Sequence, residues 1–224
     1  MFKRNIKKTI NSSCFDLRNY TAGALSNIKR INSSFLILPK SPDEEFITAL
    51  SNIELNNSNV IRLEKEISVD YINGECELSK AAYKENSFYI VNGCMLIKRI
   101  DNENPIKLVV NGIVAYDKHT KINPFQVNGE CFEIPFDDAY ESKTFGNRVC
   151  LNNQFFENIS KSTIVCCGNK LELDTDVKLD TLKSKNILLV AGNKIICSKE
   201  IIGYVNLIGK VGNRIESYGK EKNQ

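Results

Sequence analysis

A regular series of neighbouring glycine and asparagine residues is the feature that most restricts how this chain can fold. Four Asn-Gly steps are followed by four Gly-Asn steps between residues 73 and 213. The glycines of this glycine series are Gly74, Gly93, Gly112, Gly129, Gly146, Gly168, Gly192 and Gly212. A turn signal that recurs about every 20 residues predicts a repeat protein made of stacked coils.

Short apolar runs between these glycines predict β-strands, among them residues 88–91, 106–110, 187–190 and 205–208. Several runs are apolar at every position, whereas strands of an antiparallel sandwich would alternate with a polar face. We therefore expect a mainly β chain that forms a parallel β-solenoid (β-helix), with an antiparallel β-sandwich or meander as the alternative. Gly93 and Gly192 are expected to need a left-handed or otherwise strained backbone that valine cannot adopt.

A second repeat of different texture precedes the glycine series. The sequence Ala-Leu-Ser-Asn-Ile occurs at residues 24–28 and again at 49–53, and the repeat aligns Asn32 with Asn57. Helix-start residues, Thr21 before the first copy and Ser41-Pro42 before the second, predict helices at about 21–29 and 42–53. Each helix is followed by a predicted strand, at about 34–38 and 59–64. A helix-then-strand repeat requires parallel strands joined by crossovers.

These patterns predict four segments along the chain. We expect a basic, mobile leader at residues 1–13, an αβ-repeat cap at 14–69, the β-solenoid at 70–216 and a polar tail at 217–224. The coil around Gly212 has no evident C-terminal cap, so its strand edges are expected to be open to pairing with another chain.

Composition excludes several classes of function. The net charge of +3 over 224 residues is too small for a nucleic-acid binder, which needs a concentrated basic face. The basic N-terminus lacks the apolar segment of a secretory signal, and no apolar run approaches the ~20 residues that span a bilayer. We therefore expect a cytoplasmic protein without a nucleic-acid partner.

Eight cysteines are present, but the missing secretory signal disfavours disulfides and the lack of a Cys-x-x-Cys pair disfavours a zinc site. Cys76, Cys94, Cys131, Cys150 and Cys197 each lie one to five residues after a glycine of the series. A small apolar side chain at a repeated coil position belongs in a stacked interior. We expect these five thiols to be reduced and buried, and we predict no metal and no other cofactor.

An alternating segment at residues 171–180 supplies the catalytic candidates. As a strand it would place four carboxylates on one face, with successive members about 6.6 Å apart. These candidates are Glu172, Asp174, Asp176 and Asp180. Such a row could hold a divalent cation or provide an acid and a base for glycoside hydrolysis. The competing interpretation is a solvated strand face, and Lys178 in the same row disfavours a cation site.

Two other places hold polar groups without a recognisable motif. His119, the only histidine, lies in a charged loop, and nothing in the sequence pairs it with a nucleophile or with further metal ligands. Residues 136–141 combine three carboxylates with two aromatic rings in an irregular segment. An insertion of this kind in a repeat protein is either a binding face or an ordinary surface loop.

The coil series from Gly74 to Gly212 and the leader at residues 1–4 (Met-Phe-Lys-Arg) together resemble bactofilins, bacterial polymer-forming β-helix proteins. The leader is similar to the apolar and basic segment through which those proteins touch the membrane. The resemblance covers about residues 70–215, and it implies end-to-end polymerisation and a scaffold role. Residues 1–10 accordingly predict a weak contact with an anionic membrane surface.

Three hypotheses for function follow. We favour a non-enzymatic structural or scaffolding β-solenoid that self-associates or presents a binding face. One alternative is an interaction module that binds a protein partner without polymerising. The other is a carbohydrate-active β-helix enzyme that uses the acidic segment from Glu172 to Asp180.

Overall fold

The computed structural model describes residues 7–135 and 140–219. The chain divides into two compact units, the first ending at Ser68 and the second beginning at Val69. It is mainly β, and its strands pair in parallel within their sheets. The antiparallel sandwich or meander is therefore wrong.

The first unit is a three-stranded parallel sheet with helical crossovers, in the strand order β1-β2-β3. Its elements are β1 (Lys8–Asp16), α1 (Ala22–Leu25), β2 (Ile28–Pro39), α2 (Glu44–Ser51) and β3 (Glu54–Leu63). The helix-then-strand order matches the sequence repeat. The leader prediction is wrong from Lys8 onward, because residues 8–13 are paired with β2 in the sheet.

Both helices of this unit are shorter than the sequence predicts: α1 ends at Leu25, and α2 both begins later and ends earlier than expected. The Asp43 carboxylate accepts a hydrogen bond from the Phe46 N–H at 2.7 Å, so α2 begins after Asp43 and not at Pro42. Thr21 caps α1 in the same way. The strands are correspondingly longer, and the connections between helix and strand stay short. Leu25, Ile31 and Leu36 lie in the apolar core.

The first half of the second unit is one parallel sheet of four long strands, in the order β4-β5-β6-β7. They are β4 (Ser68–Leu78), β5 (Ser87–Ile97), β6 (Ile106–Asp117) and β7 (Ile122–Ile134). Each strand carries its Asn-Gly step near the middle. These four steps therefore lie within continuous strands and do not connect the two strands of a hairpin.

The second half repeats a unit of strand, Gly-Asn corner, strand and helix. Its elements are β8 (Tyr140–Phe145), β9 (Arg148–Leu151), α3 (Asn153–Glu157), β10 (Ser162–Cys167), β11 (Lys170–Leu173), α4 (Leu179–Lys183), β12 (Ile187–Ala191), β13 (Lys194–Cys197), α5 (Ile202–Ile208), β14 (Gly209–Val211) and β15 (Arg214–Ser217). The strands form two parallel sheets, with orders β8-β10-β12-β14 and β9-β11-β13-β15. The sequence missed all three helices.

Strand register explains the spacing of the glycine series. Asn92 pairs with Asn111 and Gly93 with Gly112, its successor in the series. Cys167, directly before Gly168, pairs with Ala191, directly before Gly192. The number of residues that separates two paired residues along the chain is therefore the same as the number that separates the two glycines of the same pair of strands. One period of the series therefore advances the chain by one strand, about 4.8 Å in the direction of hydrogen bonding.

Residues 205–208, which the sequence predicts to be a strand, belong to helix α5. Ile201 and Val205 are buried four residues apart, and Ile208 packs against the same core. This spacing is that of one helix face, and it leaves Leu207 on the opposite side, 81% exposed. The polar tail is also shorter than predicted, because Ser217 is the last residue of β15.

Three apolar clusters hold the second unit together. One lies against the long strands and includes Val91, Met95 and Leu108. A second fills the interior between β8–β15 and the helices. The third joins the two halves, because Leu96 of β5 and Ala115 of β6 share a cluster with Ile164 of β10. The two halves therefore form one packed body.

Glycine is required in the series mainly because backbones approach closely. Gly93 has a φ of 137°, as expected, and a Cβ there would overlap the carbonyl oxygen of Gly74 on the next strand. The φ of Gly192 is not positive, so the left-handed conformation predicted as one alternative is wrong there, and a Cβ would instead overlap the carbonyl oxygen of Gly168. Backbone strain and close approach thus act together at Gly93, and close approach alone acts at Gly192.

All eight cysteines are free thiols. Of the five predicted to be buried, Cys94 and Cys197 are buried, Cys76 and Cys131 are partly buried, and Cys150 is exposed. The prediction is wrong for Cys150 because this residue is in register with Glu172 on the outer face of its sheet, whereas its neighbours Val149 and Leu151 pack against the core. No helix in the part of the chain that the structure describes is long and apolar enough to cross a bilayer.

Gly93→Ala should destabilise the second unit by at least about 2 kcal/mol, because the added methyl group meets backbone atoms that cannot move independently. Gly203→Ala is the matched control: the space around Gly203 is open and the residue lies in α5, so alanine should be neutral or stabilising by up to about 1 kcal/mol. Urea denaturation of both variants measures the difference. Equal stability of the two variants would contradict the close approach.

Thiol labelling near pH 8 should divide the cysteines into two classes. Burial raises the pKa of Cys167 and of Cys197 to about 11, so these thiols stay protonated and react slowly in the folded protein. Exposed Cys150 should react rapidly, and Cys150→Ser should remove that fast reaction. Mass spectrometry of the labelled sites checks both expectations, and rapid labelling of Cys167 in folded protein would contradict them.

Candidate functional site

Among the residues that the structure describes, asparagine amides form three hydrogen-bonded ladders along the stacked strands. The first ladder is Asn11, Asn32 and Asn56, the second is Asn73, Asn92 and Asn111, and the third is Asn147, Asn169, Asn193 and Asn213. Their Nδ2–Oδ1 distances lie between 2.6 and 3.3 Å. The first ladder belongs to the first unit, and the other two belong to the second unit.

Every ladder bond has the same direction. The amide nitrogen of the later residue donates to the amide oxygen of the earlier one, as from Asn169 to Asn147 and from Asn193 to Asn169. The parallel strands impose this, because equivalent side chains repeat in the same orientation from one strand to the next. A ladder therefore begins at a residue whose nitrogen donates to no other ladder member, and ends at one whose oxygen accepts from none.

The second and third ladders lie side by side because the glycines of the two halves are in contact. A Cβ on Gly146 would come within 3.1 Å of the Gly74 Cα, and one on Gly168 would come within 2.8 Å of the carbonyl carbon of Gly93. Gly192 likewise lies next to Gly112, so the glycines of the two halves follow one another in the same order. Strands of the two halves are therefore matched one to one, and both ladders run in the same direction.

A groove of about 630 Å³ lies over these contacts. Its lining consists of Asn73, Gly74, Asn92, Gly93, Asn111, Gly112, Asn128, Gly129, Glu130, Gly146, Asn147, Gly168, Asn169, Gly192, Asn193, Gly212 and Asn213. These are the eight Asn–Gly pairs of the sequence together with Glu130. The volume falls within the range of about 300–1,000 Å³ that is usual for ligand sites.

The groove is lined by asparagine amides and glycine backbone, and it is nearly uncharged and without aromatic rings. Each asparagine amide has two N–H donors and an oxygen with two lone pairs, and the ladder bonds use only part of this capacity. Glu130 is the one charged residue among those that line the groove. The arrangement can exchange hydrogen bonds with a ligand, but it offers neither a pair of acidic groups nor a nucleophile for catalysis.

The four carboxylates predicted to form one strand face are not arranged that way. Strand β11 ends at Leu173, so only Glu172 lies in a strand, where it pairs with Lys170. Asp174 and Asp176 lie in the turn that follows, and Asp180 is in the first turn of α4. No group of three or more possible ligand side chains that could hold a metal ion occurs within residues 7–135 and 140–219.

Asp176 has a structural role, because it links the turn after β11 to the start of α3. Its carboxylate accepts a hydrogen bond from the Asn153 N–H at the start of α3, at 3.0 Å. The Asn153 side chain in turn accepts from the Lys178 N–H at 3.0 Å and donates to Glu157 at 2.6 Å. Asn153 is itself buried, so this small network satisfies its polar groups.

The remaining candidates do not combine into a site. His119 is half exposed, and its Nδ1 lies 3.1 Å from the buried Asp117 carboxylate two residues earlier, which makes this a local turn contact. Residues 136–139 of the predicted insertion lie outside the described residues, and Tyr140 and Glu141 are the start of β8. Of the predicted membrane contact at residues 1–10, residues 1–6 also lie outside them.

Sequence reasoning identified the Asn–Gly pairs as turns but missed the groove that they form. It also missed the first ladder, because the repeat at 24–28 and 49–53 aligns Asn32 with Asn57, whereas the register of β2 and β3 is shorter by one residue. Asn32 accordingly pairs with Asn56. Asparagines recurring at strand spacing were the available signal.

Comparisons of the chain with models of protein families, with curated proteins and with solved structures gave no match.

Asp176→Ala should destabilise the protein by about 1 kcal/mol, because the Asn153 N–H loses its acceptor. Asp180→Asn, on the exposed first turn of α4, should stay within about 0.5 kcal/mol of the parent. Chemical denaturation compares the two variants.

Since the carboxylates do not converge, millimolar calcium or magnesium should leave the melting temperature unchanged. A rise in the melting temperature that Asp176→Ala abolishes would instead indicate a cation site.

Proposed function

We propose that the second unit is a β-solenoid that acts as a non-enzymatic scaffold and self-associates end to end. The observation that carries this proposal is the common direction of the amide ladders in a stack of parallel strands, which makes the two ends of the stack complementary. The first unit is not required for the argument. The resemblance to bactofilins implies the same kind of role.

One end of the stack presents the last strand of each sheet. β7, β14 and β15 are the terminal strands of their sheets. They lie near one another, as the contact between Gly212 and Glu130 indicates: a Cβ on Gly212 would come within 2.7 Å of the Glu130 side chain. The opposite strands β4, β8 and β9 are the other terminal members. A strand at the edge of a sheet has unpaired N–H and C=O groups on one side.

The third ladder shows how two copies would fit. The Asn147 amide nitrogen donates to no acceptor that the described residues provide, and the Asn213 oxygen accepts from no donor among them. If β14 and β15 of one copy pair with β8 and β9 of the next, Asn147 of the second copy donates to Asn213 of the first. The same hydrogen bond that links coils within a molecule would then link two molecules.

The composition of β7 limits where this pairing can occur. Pro124 lies in β7 and has no N–H, so it weakens pairing along the first part of that edge. Lys210 of β14 donates to the Glu133 carbonyl oxygen at 2.6 Å, which joins β14 to the second part of β7. The proposed contact between two copies is therefore centred on β14 and β15, at the end of the stack around Gly212.

No comparable observation supports the two alternatives, the interaction module and the carbohydrate-active enzyme. The enzyme hypothesis required a row of carboxylates that the fold does not form. An interaction module would use the same open strand edges for a different protein, and it becomes the favoured hypothesis if the chain stays monomeric. The proposal is thus decided by the oligomeric state of the pure protein.

Asn147→Asp tests the complementarity of the two ends. Aspartate keeps the oxygen that accepts from Asn169 but loses the N–H that would donate to the next copy, so the monomer should fold normally. The dissociation constant of the assembly should rise about 10- to 100-fold, because the Asn213 oxygen of one copy would lose its donor and face the new carboxylate of the next copy. Analytical ultracentrifugation over a range of concentrations measures it.

Asn213→Asp is the matched control, because it adds the same charge in the same local sequence, before an arginine. It loses a donor used within the molecule but keeps the outward oxygen, so self-association should persist. Equal weakening by both variants would show that charge alone is responsible. A parent chain that remains monomeric at high concentration would reject the scaffold.

A further inference from the structure

We propose that the groove between the second and third ladders binds a neutral, hydroxyl-rich chain, that is, a segment of an uncharged polysaccharide. The site is complete within one molecule, so the inference does not depend on self-association. Three properties of the groove support this choice of ligand: its charge, the repeating hydrogen-bond capacity of its walls, and the absence of side chains on its floor.

The charge of the lining excludes several classes of ligand. Glu130 is the only charged residue among the residues that line the groove, and it is an anion. Phosphorylated and nucleic-acid ligands require lysine or arginine, which this lining does not contain. An apolar ligand is disfavoured as well, because amide groups and bare backbone would lose hydrogen bonds to water on its binding.

The walls match hydroxyl groups better than they match other neutral groups. Each step of a ladder offers a partly used amide with both a donor and an acceptor, and the step repeats about every 4.8 Å. A hydroxyl group is also both donor and acceptor, and its hydrogen rotates to suit its neighbour. A chain with hydroxyl groups on two sides can therefore bond to both walls at once, such as to Asn92 on one side and Asn169 on the other.

The floor of the groove is lined by glycine. A Cβ at Gly93 or Gly168 would meet the backbone of neighbouring strands, so no side chain rises from the floor between the two rows of amides. The lining provides no apolar pocket for the side chains of a peptide, which usually give a bound extended peptide its specificity. Since Glu130 is the only carboxylate of the lining, the two acidic groups that glycoside hydrolysis needs are not present there. The site would bind a polysaccharide without cleaving it.

Native affinity electrophoresis of the full chain tests this inference, with gels that contain hydroxyethylcellulose, galactomannan or dextran, and polygalacturonate as the anionic comparison. At least one of the neutral polymers should retard the protein in proportion to its concentration, and polygalacturonate should not. Absence of retardation by all three neutral polymers would overturn the inference, as would stronger retardation by polygalacturonate.

A pair of matched variants assigns the binding to the groove. The double variant Asn92→Ala/Asn169→Ala removes one amide from each wall, and the dissociation constant for the retarding polymer should rise at least about tenfold, the effect of losing one or two hydrogen bonds. Asn32→Ala removes the equivalent middle amide from the first ladder, which lies outside the groove. This variant should change the dissociation constant for the polymer less than about twofold. Equal weakening by both would overturn the assignment.

Asn73→Asp provides a variant that keeps its bond within the ladder. Its oxygen still accepts from Asn92, while the N–H available to the groove is lost, so binding should weaken even if the double variant fails to fold. Unchanged binding by this variant, with the double variant unfolded, would overturn the assignment. Retardation of a monomeric parent chain would reject the scaffold and leave this inference in place.

Discussion

Contact between glycine backbones is the constraint on which the second unit depends. Two sets of strands meet along the glycine series, and the contact allows no side chain: a Cβ on Gly168 would approach Gly93 backbone atoms closely enough to displace them. Because the contact repeats from strand to strand, the strands of the two halves follow one another in the same order. The shared apolar cluster around Leu96 and Ile164 holds the same two halves together.

The second and third asparagine ladders follow from this arrangement. The asparagine next to each glycine keeps its side chain at the surface, and stacking of the strands brings equivalent amides within hydrogen-bonding distance of each other. Each ladder bond contributes only about 1 kcal/mol, and the exposed bonds contribute less. Their importance is therefore in specifying register: a strand shifted by one residue would place an apolar neighbour, such as Val91 next to Asn92, in the row of amides.

The stacking of the strands was predictable from the sequence, whereas the helices of the second unit and the groove were not. Glycine spacing predicted parallel stacking and, through the register, the distance along the chain between paired strands. The helices were missed because two of the three lack a side-chain cap at their first turn: Lys178 and Ile201 make no cap hydrogen bond, whereas Asn152 caps α3. The alternation at 171–180 continued through a turn and into α4, so the carboxylates appeared to share a face. The groove could not be predicted because it depends on contact between coils that are far apart in the chain.

The uniform direction of the ladder bonds has a consequence for the electrostatics of the stack. Each amide is a dipole, and in the third ladder four of them point the same way from Asn147 to Asn213. Aligned dipoles add, as they do in a helix, so one end of the ladder carries partial positive charge and the other partial negative charge. The stack therefore has an axis with distinguishable ends. Any array built by repeating it would be directional, and a molecule joining that array would meet two chemically different surfaces.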